Sequence, residues 1–220
     1  MQILLIISML GILFAVFAAV GPEGFWYNLI TLVNVVFAAL VATNAFEPLA
    51  TRAHYAWQGS GYFIDFAILW GLFAVTFAVM QVLTNIASTV KVSIGAKVDQ
   101  IVGFALALVT GWVLVCFTSM TLHTAPLQRD AFGNALLPQF ESGVLASLAP
   151  DRVWLNSAQK MSRASALGSG GTDQPSFDPE GEFILHYATR RFHNFRDENG
   201  LLSKRKWGAT TPQGKDVSTP

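Results

Sequence analysis

A chain of 220 residues with 52% hydrophobic and only 13% charged side chains is more apolar than a water-soluble domain, in which about a quarter of residues carry charge. Equal numbers of basic and acidic residues give a formal net charge of zero, which excludes the basic balance of a nucleic-acid-binding chain. The one cysteine, Cys116, excludes an internal disulfide.

Charge is also unevenly placed. Residues 1–127 hold Arg52, Lys91, Lys97, Glu23, Glu47, Asp65 and Asp99, and every other charged side chain lies beyond them. The pattern predicts an all-α polytopic membrane protein in three parts: a four-helix membrane domain over 1–127, amphipathic helical segments over 128–167 and a flexible tail over 168–220.

The first span covers about 1–20 and has no charged residue. A cleaved signal peptide wants a positive n-region and a shorter apolar core, so a retained helix is expected. Gly11, Ala15 and Ala19 recur every fourth residue and give a small face for helix packing. Gly21-Pro22-Glu23-Gly24 reads as a tight turn. The second span covers about 25–46, with Trp26 and Tyr27 suited to the interface at its start. Asn28, Asn34 and Asn44 are expected to hydrogen-bond neighbouring helices. Glu47–Gly61, with Arg52, His54, Tyr55 and Trp57, reads as a polar surface loop.

The third span covers about 62–85, with Asp65 one turn inside its start. A carboxylate there is favoured by the helix dipole and can reach water; its functional alternative is a proton or cation site. Ile86–Lys97 reads as an amphipathic connector along the headgroups, its lysines snorkelling. The fourth span covers about 100–122 without a charged side chain, enough at about 1.5 Å per residue to cross a core of roughly 30 Å. Gly103, Ala107 and Gly111 put three small residues on one face of it, where a second helix can come close. Asp99 stands at its entrance and is the second candidate functional residue.

His123-Thr-Ala-Pro126 ends the membrane region. Phe140–Leu148 and Asp151–Leu167 are spaced for one apolar face each, the second with an Asp cap. Residues 168–176 have linker composition. Glu182–Arg196 is aromatic enough to dock, and Gly208–Pro220 is expected to be disordered. Arg190-Arg191 and Lys204-Arg205-Lys206-Trp207 have the composition to touch anionic lipid or nucleic acid, but nearby acids dilute that field and they read as solvated surface.

The chemistry-bearing patterns are missing. No GxSxG, HExxH or P-loop occurs. His123, His186 and His193 lack metal-ligand spacing and read as interfacial or solvated. No intramembrane acid, base or nucleophile is paired, so no catalytic residue, metal or cofactor is expected and the chain reads as a non-enzyme.

Four spans, Gly24-Phe25 after the first turn, Asp99-x-x-x-Gly103 opening the last span, Gly111 within it and Leu137-Pro138-Gln139-Phe140 beyond it resemble the colicin V production protein (CvpA) family over roughly residues 1–145. The family tends to carry arginine before the glycine at the first turn and inside the last span, where this chain has Glu23 and Thr110, and an acid near the first helix start, where it has Gln2. The resemblance implies an inner-membrane protein linked to colicin V (bacteriocin) production or export and to envelope maintenance, without an assigned reaction. It implies the lipid bilayer and a membrane-protein partner or homo-oligomer as partners. The competing class is a subunit of an oligomeric transporter or channel. Orientation is balanced by charge, with Arg52 and Arg129 on one side against Lys91 and Lys97 on the other. No lysine or arginine precedes the first span, and the resemblance places the 86–98 connector inside, so both termini are expected on the periplasmic side.

Overall fold

The computed structural model describes residues 2–56, 63–88, 95–127, 148–164, 177–178 and 181–194. Among these no strand occurs. The helices are α1 (Gln2–Val20), α2 (Phe25–Ala56), α3 (Phe63–Ala87), α4 (Ala96–Thr124), α5 (Pro150–Ala164) and α6 (Phe183–Asn194), with a 3-10 turn at Gly21–Glu23 between the first two. The first four are long and apolar enough to cross a membrane, so the protein is a polytopic membrane protein with four transmembrane helices.

The helices stand in a row, α1–α4–α2–α3. The ring of Phe17 on α1 stacks on Phe104 of α4 at 5.1 Å, while Leu13 abuts Gly111, so the two run antiparallel. Asn34 on α2 donates to Gln81 Oε1 and Thr84 Oγ1 of α3 at 3.0 and 2.9 Å, which makes that pair antiparallel too. The start of α2 lies against Gly103, so α2 and α4 are parallel neighbours. Burial follows this order: 50% and 39% of the apolar windows of α2 and α4 are buried inside the protein, against 6% and 11% for α1 and α3. The outer two helices leave most of their surface to lipid.

The row has two ends. The turn face carries Gly21–Gly24, the end of α3 and the start of α4. The tail face carries the start of α1 and α3 and the ends of α2 and α4. The apolar core lies toward the tail face. Ala38, Ala39 and Ala42 bring helices close to α2, and Phe46, Leu69, Phe73, Phe117 and Met120 fill the space beyond them. Helix α5 adds Trp154, Leu155 and Ala158 to the same core, and α6 adds Phe183 and Tyr187. Their spacing is the one-sided apolar pattern of helices lying on a bundle.

Three expectations need correction. The polar loop expected from Glu47 is helix as far as Ala56. Pro48 lies inside that helix and leaves the carbonyl four residues back without its usual donor. Tertiary packing outweighs this loss, because Ala50 is buried and His54 is paired across to α3. Second, Asp151 is not the cap of α5: the helix starts at Pro150, a residue suited to a first helical position, and Asp151 lies in its first turn. Third, the flexible tail expected over 168–220 is interrupted by α6, which lies in the Glu182–Arg196 stretch expected to dock and packs through Phe183 and Tyr187. Its start is capped by Asp178, whose Oδ1 accepts from the Glu182 and Phe183 amides at 2.8 and 3.2 Å. The connector residues 89–94, the segment Phe140–Ser147, the linker 168–176 and the final stretch 208–220 lie outside the described residues, as do Leu137 and Pro138.

Candidate functional site

Two polar constellations stand at opposite ends of the bundle. On the turn face everything converges on Gly24. Its φ of +86° is a backbone setting that favours glycine, and it joins the 3-10 turn to α2. Its carbonyl accepts from the Asn28 amide at 3.2 Å and from Asn28 Nδ2 at 2.7 Å. Asn28 Nδ2 also donates to the Val20 carbonyl at 2.8 Å, so one side chain ties the end of α1 to the start of α2. From α4, the Asp99 carboxylate packs on the face where a side chain at 24 would project. One turn later a Cβ at Gly103 would stand 2.9 Å from the Gly24 carbonyl carbon and 3.2 Å from the Phe25 nitrogen. The helices meet there backbone to backbone.

The electrostatics fit. Both α2 and α4 begin at this point, and the positive ends of two helix dipoles face Asp99, an arrangement worth about 0.3–1 kcal/mol per helix for a carboxylate. Asp99 is wedged between two helix starts, against Gly24. The small-residue face of α4 serves more than one neighbour. Gly103 seats Gly24 and Phe25, Ala107 lies near Gly21, and Gly111 seats Leu13 of α1. Among the described residues nothing closes the equivalent stripe on α1: Gly11, Ala15 and Ala19 are exposed, and none of those residues lies within 4 Å of a Cβ at Gly11.

Interhelical polar contacts follow down the α2–α3 seam. Besides the Asn34 bonds, Trp26 Nε1 donates to Ser88 Oγ at 2.6 Å. Of the three asparagines expected to bind neighbouring helices, Asn34 does so on α3, and Asn28 does so through the Val20 carbonyl at the end of α1. Asn28 holds the turn, and Asn44 Nδ2 donates within α2 to the Leu40 carbonyl at 2.8 Å.

On the tail face, Asp65 is fully buried rather than in reach of water. Its Oδ1 lies 2.7 Å from His54 Nε2, and its Oδ2 accepts from the Tyr187 hydroxyl of α6 at 3.4 Å. Residues from three helices meet at one carboxylate. His123, expected to be interfacial or solvated, is 2% exposed, with Nε2 placed 2.9 Å from Asp151 Oδ2. Burial alone would raise the Asp151 pKa. The hydrogen bond and charge of His123, joined by the Arg152 amide and guanidinium, outweigh it and hold the carboxyl below its ordinary value. Trp154 Nε1 donates to Thr43 Oγ1 at 3.1 Å, and Trp70 Nε1 to Thr121 Oγ1 at 3.2 Å. Gln159 on α5 donates to the Asp178 carbonyl at 2.7 Å, joining the two tail helices.

Sequence reasoning singles out Asp65 and Asp99 but misses their partners. His54 falls in a stretch that reads as a surface loop, and Tyr187 and Trp154 carry no signal beyond aromatic content. Of the remaining motif residues, Leu137, Pro138 and Phe140 lie outside the described residues. Among the described residues no cluster of three or more histidine, cysteine, aspartate or glutamate side chains is disposed to hold a metal ion.

The family model described as colicin V production protein matches residues 3–144, which takes in all four transmembrane helices and stops short of α5. The chain belongs to that family. No curated protein and no solved structure matches it.

Proposed function

We propose that this member of the colicin V production protein family is a non-enzymatic protein of the bacterial inner membrane that acts through protein partners in bacteriocin production or export and in envelope maintenance. The observation that carries the reading is the match of the family model to the whole membrane bundle. The meeting of Gly24 and Asp99 with Gly103 supports it, because these are the residues on which the family resemblance rests and their evident work is to join helices. The partner is a membrane protein or a second copy. The test is complementation: in a bacterium lacking its own family member, this chain should restore bacteriocin release, and Gly103→Leu should abolish the rescue at equal protein level. Full rescue by Gly103→Leu would separate function from the bundle's closure and sink the reading.

A subunit of an oligomeric transporter or channel is the second reading, and one observation favours it. Helices α1 and α3 have mostly unburied outer faces, and small residues on α1 leave room for another helix. Solute-dependent flux in proteoliposomes would establish this class, and its absence across ions and small solutes would eliminate it. In the proposed orientation both termini are periplasmic, with Gly21–Gly24 and Ile86–Val98 cytoplasmic. Alkaline phosphatase fused after Leu167 should then be active, and green fluorescent protein exported through the Sec route should be dark there. The reverse pattern would invert the orientation.

A further inference from the structure

We infer that α5 is an interfacial helix, seated in the lipid leaflet of the tail face with one edge on anionic phospholipid headgroups and the other among the acyl chains. Its contacts set its depth. Helix α2 starts at Phe25, level with Gly103 of α4, and Trp26 beside it marks the membrane boundary. At about 1.5 Å per residue, Thr43 then lies about 27 Å along α2, and Phe117 about 21 Å beyond Gly103 along α4. Both levels fall inside a hydrocarbon core of roughly 30 Å, and tilting a helix only shortens the depth it reaches. Trp154 of α5 donates its Nε1 to Thr43 Oγ1 at 3.1 Å and packs edge-on against Phe117 at 5.6 Å. This helix therefore sends a side chain below the headgroups.

The two ends of α5 stand at one level. Asp151 meets His123, which lies about 30 Å beyond Gly103 along α4. Gln159 donates to the carbonyl of Asp178, the cap of α6, and Phe183 of α6 packs on Phe46, about 32 Å along α2. So α5 lies in the membrane plane, at the junction of headgroups and acyl chains. Around it the side chains divide three ways. Trp154, Leu155 and Ala158 face the core. Arg152, Asn156 and Lys160, each four residues apart, form one exposed edge. Val153, Ser157 and Met161 form the other, where Val153 and Met161 are 44% and 45% exposed. Ser157 turns its hydroxyl onto the Val153 carbonyl at 2.7 Å, so that edge is apolar throughout. The single acid of the helix, Asp151, is held by His123 and has Arg152 within electrostatic reach. A cationic edge beside an apolar one, at this depth, is the layout of a helix lying in a lipid interface. Phosphates meet the cations, and acyl chains cover Val153 and Met161.

The experiment uses the full chain in two nanodiscs, one of equal parts phosphatidylcholine and phosphatidylglycerol and one of phosphatidylcholine alone. Cys116→Ala removes the native thiol, and spin labels are placed singly through Val153→Cys, Asn156→Cys and Met161→Cys. Collisions with oxygen, which concentrates among acyl chains, are compared with those of a water-soluble nickel chelate. The oxygen-to-nickel ratio should be several-fold higher at Val153 and Met161 than at Asn156. A ratio no higher there would put the apolar edge in water, open to a protein partner, and would overturn the inference. Two labels on that edge keep the test decisive if one variant fails to fold. The mobile fraction at Met161 should rise several-fold when phosphatidylglycerol is left out, and added inorganic phosphate should not reverse the rise. Lys160→Gln should reduce this dependence on lipid charge, and Arg152→Gln added to it should abolish the dependence. Equal mobility in both discs, reversal by free phosphate, or full dependence kept in the double variant would each overturn the inference.

Discussion

Replacing Gly103 by alanine tests the backbone contact between α4 and the start of α2. The added methyl would meet the Gly24 carbonyl carbon at 2.9 Å and the Gly24 Cα and Phe25 nitrogen at 3.2 Å. None of these atoms belongs to a side chain that can swing away. Carbon contacts settle near 3.5–4.0 Å, so the helices must part by roughly half an ångström, which loosens Ala107 and Gly111 against their neighbours. Overpacking of this kind costs about 1–3 kcal/mol. Alanine is also the better helix former by about 0.8–1.0 kcal/mol, and that gain has to be removed. Gly71→Ala on α3 does so, since among the described residues nothing lies within 4 Å of its Cβ. The two variants should differ by about 1–3 kcal/mol, with Gly103→Ala the weaker, and for a chain of this size each kcal/mol shifts Tm by about 2–4 °C. Cys116 is buried at 3% exposure and is the sole thiol, so a thiol-reactive dye reports unfolding in detergent directly. A Gly103→Ala protein melting at or above Gly71→Ala would refute the reasoning.

Trp154→Ala should release α5, because truncating a buried tryptophan costs about 3–5 kcal/mol and also removes the donor to Thr43. Trypsin should then cut at Arg152 or Lys160 far faster than in the parent, and an unchanged rate would count against the docked helix. The Asp151 pKa is held below its ordinary value of 3.8, so its contribution to docking is complete above that value and is lost as pH falls through the native one. A label at Met161 should loosen at acid pH, and Asp151→Asn should be weaker throughout and lose that acid step. Asn34→Leu breaks two interhelical bonds to α3, each worth roughly 0.6–1.7 kcal/mol in a membrane. It should lower Tm by a few degrees, and a raised Tm would mean that packing alone holds the seam.

The spans are legible because an uncharged run of about 20 residues is long enough to cross a bilayer and too apolar to stay in water, and α1, α3 and α4 follow those runs closely. The extension of α2 is not legible, since Pro48 and the charges around it resemble a loop locally and the compensation comes from α3 and the core at Ala50. The periodicity of Gly103, Ala107 and Gly111 indicates a close helix contact. It cannot say that the partner is Gly24, because a turn's approach to a helix leaves no trace in spacing. Asp65 reads as wet for the same reason: one turn inside a membrane helix is shallow, and Tyr187, which reaches its carboxylate, lies 122 positions later.

That separation also sets an order of events during synthesis. At about 5–20 residues per second, the 122 residues between Asp65 and Tyr187 take roughly 6–24 s to emerge. His54 leaves the ribosome ahead of Asp65, eleven positions before it, and can meet it as soon as α3 forms. The carboxylate thus enters the membrane region already escorted but still open to water. The newborn bundle waits for α6, the last helix of the described residues, before Tyr187 can reach Asp65, and anything that binds the tail face has those seconds in which to compete with α6.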